Sequence, residues 1–510
     1  RPGGAFSLPE WTKRDTVQER VQDRYNRIRD VIAAVKEQGG AVNDLNDFDL
    51  GEDRFHGVAS AKIEASEEQV KAIIKDAKDS VVSLEEAVLY AYAEHAPERN
   101  AAMQRINKNV TTGSGMSDQE AQAIIDRARQ DGTEQALARI AAAMRKMAQD
   151  TLKAQLDAGL IDQAEFDAYG AKYQKWVPLR GFETLDENGS TFRGTGKGFN
   201  IRGKENLRAL GRDSKAGQIF ENIILDSERT AVRATKNVEV NHRFLKFVLD
   251  NPDTNLWEVD ANKTKQALKN GRVSLDSMID KGDQTIGIKV NGQVVYVKIH
   301  DQKLFEQLAN NWNDMEFKGI PYIGAFNRYL SKSYTAWSPE FALFTNPARD
   351  VLSALVSITG REGIGMTGKF IKSYREALMS AYRAEVLGQK DQLYQEYKAM
   401  GGKTGFYNLN TLESKVDEIN TLIKDAQGTN WRNAWRAPIK MAKMLEDLIS
   451  NHAGALENAT RLASYIAMRK AGKSKVEASA FAKNLNVNFN RRRRVYGYGC
   501  AGANERSSRR

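Results

Sequence analysis

Seven basic side chains, Arg193, Lys197, Arg202, Lys204, Arg208, Arg212 and Lys215, are interleaved with glycines at 194, 196, 198 and 203 in STFRGTGKGFNIRGKENLRALGRDSK, residues 190–215. Glycine lets a backbone come close to a partner, and the cations can neutralise phosphates. This composition suits contact with nucleic acid that does not depend on base sequence. Six phosphate contacts on duplex DNA would give log K a slope of roughly −5 against log salt. A flexible basic surface loop, or one docked on the acidic residues 44–53 of the same chain, accounts for the same composition without a ligand.

Signatures of enzymatic chemistry are sparse. Gly-Thr-Gly-Lys-Gly at 194–198 departs from the phosphate-cradling G-x-x-x-x-G-K-[ST], because Gly198 stands where a magnesium-binding hydroxyl is required. The five histidines, His56, His95, His242, His300 and His452, lack H-E-x-x-H or Cys/His ligand spacing, so no metal site is expected. No G-x-S-x-G elbow occurs. Glu94, His95 and Glu98 are close enough in sequence for acid/base work, but Pro97 is expected to break the helix there and Arg99 to neutralise the charge. Trp431 and Trp435 lie one helical turn apart, as a base-stacking platform would require, but their spacing also fits a buried helix face. The same face reading applies to Tyr374, Tyr382 and the Met and Leu residues near 441–449. The chain is read as non-enzymatic, with no cofactor and no small-molecule substrate.

The 510 residues carry 76 Lys+Arg against 66 Asp+Glu, a net charge of +10. Most of it is concentrated. The last twenty residues, RRRRVYGYGCAGANERSSRR, hold seven Arg and one Glu and supply +6; residues 190–215 supply +5; the remainder sums to −1. The tail lacks the periodicity of the preceding chain. It reads as an arginine arm that orders on nucleic acid, as a solvated tail, or as the product of a frame change near codon 491. Cys500 is the only cysteine, which excludes an intrachain disulfide and fits a cytosolic or virion-interior protein. The start RPGG, without Met, suggests a fragment or a processed product. No signal peptide or stretch of about 18 apolar residues is present.

The elements that must position these groups are mostly helical. Val17, Val21, Tyr25, Ile28, Ile32 and Val35 predict a helix over 10–38, stopped by Gly39-Gly40 and followed by an acidic loop at 41–57. Ser66 with Gln69, Ser83 with Glu86, and Ser117 with Glu120 each predict a capped helix start. Residues 171–213 read as an extended linker, and 214–250 as a long helix. IGIKVNGQVVYVKI at 286–299 predicts a β-hairpin turning at Asn291-Gly292. From His300 to about 488 the chain is helical again, punctuated at Pro321, Pro339, Pro347, Gly401-Gly402 and Pro438. The fold class expected is mainly α, an elongated multi-helix array with a small β-hairpin. Its parts are 1–60, a helix and acidic loop; 61–170, a helical domain; 171–213, a basic linker; 214–320, helix plus hairpin; 321–490, a C-terminal helical domain; and 491–510, the arginine-rich tail.

Several segments together resemble, in order, stretches of the very large polyvalent proteins of bacteriophages and prophages. They are LYAYAEHAPERN at 89–100, GSGMSDQEA at 113–121, WVPLRGFE at 176–183, FNIRGKENLRALGR at 199–212, SPEFALFTNPARD at 338–350 and the closing segment 451–492. The C-terminal half is similar to a large polyvalent protein-associated domain of the type 38 kind. The resemblance implies a non-enzymatic module packaged or delivered with the genome, in the virion interior and then in the host bacterial cytoplasm. Its implied partners are other modules of the same polyprotein and phage DNA, with virion or membrane contact. Relatives continue past the NFNRR-like element into an apolar, Gly-containing segment, so the resemblance favours a frame change or truncated gene over an arginine arm. The rival expectation is an internal ejection protein that lines a DNA-delivery conduit at the host membrane. It rests on amphipathic helices at 321–357 and 430–488.

Overall fold

In the computed structural model, residues 5–12, 15, 25–106, 113–178, 219–264, 279–280, 282–309, 346–403 and 437–485 are described. Helix α1 (Asn26–Glu37) buries Ile28, Val31, Ile32 and Val35 on one face. It ends before Gly39, whose φ of +80° is the left-handed conformation that glycine adopts freely. Val17 and Val21 of the expected helix lie outside the described residues.

Helix α2 (Phe48–Asp79) corrects two expectations at once. Residues 48–57, expected as an acidic loop, are its first turns, capped by the Asp47 side chain accepting from the Leu50 amide at 2.9 Å. Ser66 therefore lies mid-helix and caps nothing. Its hydroxyl is 2.6 Å from that of Ser227. The local pattern at Ser66 was that of a helix start, but Phe55, Val58, Ala59, Ile63, Val70, Ile73 and Ile74 keep helical spacing across it and are all buried.

Helix α3 (Leu84–Ile106) opens on the expected Ser83–Glu86 pair, the Glu86 amide donating to the serine hydroxyl at 3.1 Å. It then runs through Pro97 without ending, contrary to the expected break. Proline removes a single hydrogen bond, to the carbonyl of Ala93. Burial of Ala91, Tyr92, Ala93 and Ala96 before it, and of Asn100 and Met103 after it, holds both halves in place. Helix α4 (Asp118–Gln130) begins with the full Ser117–Glu120 capping box, and α5 (Glu134–Asp157) and α6 (Gln163–Lys172) complete this array.

The expected helix over 214–250 consists of α7 (Ile219–Lys236), a π turn (Asn237–His242) and α8 (Arg243–Asp250). The hairpin forms as read. Strands β3 (Thr285–Val290) and β4 (Gln293–Ile299) pair antiparallel about Asn291 and Gly292, with φ of 48° and 75°. Two short edge strands that the sequence pattern did not suggest, β1 (Trp257–Val259) and β2 (Ile279–Asp280), widen it to a four-stranded sheet ordered β1-β4-β3-β2. After α9 (Gln302–Ala309) come α10 (Asn346–Glu362), α11 (Ile364–Glu385), α12 (Gln392–Ala399), α13 (Ala437–Lys470) and α14 (Lys475–Lys483). Pro347 and Pro438 occupy first turns, where a missing N–H is harmless. Trp431, Trp435, residues 321–345 and the tail 491–510 lie outside the described residues.

The described residues form three large hydrophobic cores. One joins the second half of α2 with α3, α4, α5, Val177 and the start of α7. Another joins α1, the first turns of α2, the π turn, α8, the sheet and α9 around Phe48, whose ring meets Phe244 and Phe247 edge-on at 5.2 Å. The last is built from α10 to α14. Helix α2 reaches all of them. A Cβ on Gly57 would lie 2.1 Å from the carbonyl oxygen of Gly401, so the exit of α12 sits directly on the α2 backbone. Asn484 reaches Asp53 at 3.1 Å and Lys398 pairs with Glu64 at 2.6 Å.

Candidate functional site

All seven expected nucleic-acid contacts, Arg193, Lys197, Arg202, Lys204, Arg208, Arg212 and Lys215, lie outside the described residues. What is described is how the 40-residue stretch 179–218 is held. The chain enters it from Val177 and Pro178 and leaves it at Ile219 and Phe220, all buried. Val177, Ile219, Phe220, Ile223 and Ile224 belong to one core, and Trp176 packs against it. Trp176 and Pro178 line, together with Ile223 and Asp226 of α7, a cleft of about 10 Å³, the room of a single water molecule. The two ends of the basic stretch are therefore seated side by side.

The entry is pinned by the Glu94–His95–Glu98 group, and its geometry is structural. The Glu98 carboxylate accepts from the backbone N–H groups of Gln174 at 3.1 Å and Lys175 at 3.0 Å. Glu94 pairs with buried Arg145 of α5 and, at 2.9 Å, with Lys175. His95 is 1% exposed, stacks edge-on with Tyr173 at 5.1 Å and has Nδ1 3.7 Å from Glu98. Burial, reinforced by the charges of Arg99 and Arg145, pushes its pKa down to about 3. A general base works best with a pKa near the ambient pH, and a group this far below it is a weak proton acceptor. Arg99 does not neutralise the trio, as the sequence suggested. Its Nε donates to the Gly113 carbonyl at 3.3 Å, while Arg145, fifty residues away in the chain, supplies the counter-charge.

Two of the motif segments meet here. Asn100 donates to the Met116 carbonyl at 2.8 Å and to Asp118 at 2.7 Å, and accepts from the Ser114 amide at 2.8 Å. The Tyr92 hydroxyl donates to the Ser114 carbonyl at 2.5 Å. The segments 89–100 and 113–121 thus form a buried polar junction, to which Gln174 and Lys175, just before the third motif segment, are tied through Glu98 at the mouth of the basic stretch.

Three of the acidic residues of the 44–53 stretch take part in contacts with the described residues. Glu52 accepts from the Tyr25 hydroxyl at 2.9 Å, Asp47 caps α2, and Asp53 accepts from Asn484.

The π turn and its surroundings form a second polar centre that sequence reading missed, since a π turn has no sequence signature of its own. Asn237 donates to the carbonyls of Ala158 and Lys289, both at 2.8 Å. His242 Nε2 lies 2.7 Å from the same Lys289 carbonyl, which makes it the protonated ring nitrogen. These bonds clamp the hairpin tip to the corner between α5 and α6. On the other side of the turn, Glu239 accepts from Arg54 at 2.6 Å and Arg243 at 3.1 Å, while Arg54 Nε donates to the Met400 carbonyl at 3.1 Å. Lys236, under the Phe55 ring, is pushed down to about 8 by burial.

In the C-terminal helices, the segments containing NPARD and ENATR also face one another. Arg461, 1% exposed, pairs with Glu457 at 2.9 Å. Asp350 lies in the field of both and is pushed up to about 6 by burial and by Glu457, against the opposing pull of Arg461 and Arg349. Glu385 is raised by burial and accepts from the Tyr394 hydroxyl and from Asn458 at 3.0 Å. Tyr374 is half-buried against Phe370, as a helix-face residue should be, whereas Tyr382 is exposed and meets His452.

Among the described residues no group of three or more His, Cys, Asp or Glu is arranged to hold a metal ion, and no helix is long and apolar enough to cross a membrane. Against known proteins, the chain matches no family model, no curated protein and no solved structure.

Proposed function

We propose that the chain is a non-enzymatic structural and interaction segment of a phage polyvalent protein, delivered with the genome and touching DNA weakly through residues 190–215. The observation that carries the reading is the seating of both ends of the 179–218 stretch in one core. A segment whose two ends are fixed has fewer conformations to lose than a free tail, so ordering it on a partner costs less entropy. The inward use of the motif residues supports the same reading. Glu94, Glu98 and Asn100, with Arg145 of α5 as the counter-charge, join elements to one another, which is what a scaffold requires of its polar groups.

The test is the salt dependence of DNA binding by the full chain and by a variant with Lys197, Arg202, Lys204 and Arg208 all changed to Gln. Removing four phosphate contacts lowers the magnitude of the slope of log K against log salt by about 3 to 4. An unchanged slope would remove the cluster from the interface. Peptide mass spectrometry of purified particles tests delivery separately. Peptides from residues 80–490 are expected there, and their restriction to infected cells would overturn it.

A further inference from the structure

Helix α11 has two unlike faces. Phe370, Ser373, Ala377, Ser380 and Ala381 are buried. Ile364, Ile371 and Met379 on the opposite side are 81%, 60% and 49% exposed. On α10, Leu352 and Val356 are 64% and 59% exposed, and that helix is tied to α11 through the hydroxyls of Thr359 and Thr367, 2.8 Å apart. Isolated exposed aliphatics are ordinary on protein surfaces, but three on one side of α11, with two more on the helix tied to it, mark a contact surface.

The charge beside this row is mainly positive. At 100° per residue, Lys372 and Arg383 lie along one edge of the apolar stripe, Lys369 lies beyond them, and Arg375 falls within it. The two carboxylates of α11 are turned to other work. Glu385 is buried against Tyr394 and Asn458, and Glu376 is bound to Lys470 at 2.9 Å. Lys369, Lys372 and Arg375 form no ion pair among the described residues.

We propose that the outer face of α10 and α11 docks on an anionic phospholipid surface, its aliphatic side chains entering the boundary between headgroups and acyl chains and its cations meeting lipid phosphates. Arg375, exposed within the apolar stripe, fits this occupant: at a lipid interface its stem lies along the apolar layer and its head reaches the phosphates, whereas a protein helix would have to bring a carboxylate to it. A second copy of the chain is disfavoured by the same cations, because two-fold pairing of this face would bring Lys369, Lys372 and Arg375 of one copy close to those of the other. The inference goes beyond the DNA-contact reading and does not rest on it.

The experiment is flotation of the full chain with vesicles of phosphatidylcholine alone and of phosphatidylcholine mixed with phosphatidylglycerol. Binding to the mixed vesicles only is expected. The variant carrying Lys369→Gln, Lys372→Gln and Arg375→Gln should bind about a hundredfold more weakly, at roughly fivefold per cation. The variant carrying Ile371→Glu and Met379→Glu should lose binding while keeping its circular dichroism spectrum, since both sites are exposed. No flotation with mixed vesicles at low salt overturns the proposal. So does binding that both variants retain, or binding lost instead when the four cations of the 190–215 cluster are removed. A concentration-dependent dimer in sedimentation that the Ile371/Met379 variant abolishes would assign the face to a second copy and overturn it as well.

Discussion

Replacing Asp350 by Asn should stabilise the C-terminal helices at neutral pH. The side chain is 6% exposed and its pKa is pushed up to about 6 from an ordinary 3.8, first by burial and then by Glu457, although Arg461 and Arg349 pull the other way. Folded Asp350 therefore keeps its proton to about pH 6, while the unfolded chain gives it up near 3.8. Between those values the folded state binds the extra proton, so its contribution to stability falls as pH rises through the window and is least above it. A shift of about two units corresponds to about 3 kcal/mol, or a hundredfold in the opening equilibrium. A chain of several cores does not unfold in one step, so the readout should be local. Hydrogen exchange of the α13 amides between Ala455 and Ala467, compared with the variant at each pH, isolates the group. Near neutral pH the variant should exchange up to about a hundredfold more slowly, and the difference should vanish by about pH 4. Faster exchange in the variant at neutral pH would refute the reasoning, because it would mean that the ionised carboxylate is a net stabilising partner of Arg461.

Two further substitutions probe other joints. Arg54→Met leaves Glu239 to Arg243 alone and strips the Met400 carbonyl of its donor. It should cost about 3 to 5 kcal/mol in denaturant titration, whereas a loss under about 1 kcal/mol would mean that water replaces the guanidinium. Gly292→Ala forces a side chain onto a φ of +75° with its Cβ 2.7 Å from the Asp162 nitrogen. A loss of about 1 to 3 kcal/mol is expected, and an unchanged midpoint would show that the hairpin tip is not clamped to the α5–α6 corner.

What the sequence made legible was local. The Ser83 and Ser117 caps and the Asn291-Gly292 turn are decided within four residues, and the structure holds each as read. Ser66 carries the same letters as those caps but lies inside α2, because two cores claim the helix on either side of it. Pro97 failed as a helix stop for the same reason, burial on both sides outweighing one missing hydrogen bond. The edge strands at 257–259 and 279–280 are too short for alternation to register. At the polar junction the right residues were picked, Glu94, His95 and Glu98, but not their use. That depends on Arg145 and on the amides of 174 and 175, which no spacing rule connects to them.

The reach of α2 has a consequence for how the protein is made. Its Asp53 carbonyl receives Lys483, 430 residues downstream, and Gly57 and Glu64 receive the exit of α12 and Lys398. At about 5 to 20 residues per second, the ribosome needs roughly 20 to 90 s to deliver the partner of a residue it has already released. During that interval one side of the helix is built and uncovered, shielded only by chaperones or by provisional contacts. A chain without α12 and α14 leaves that side of α2 uncovered. Closure of α2 therefore waits on α12 and α14, so a helix made early is completed late.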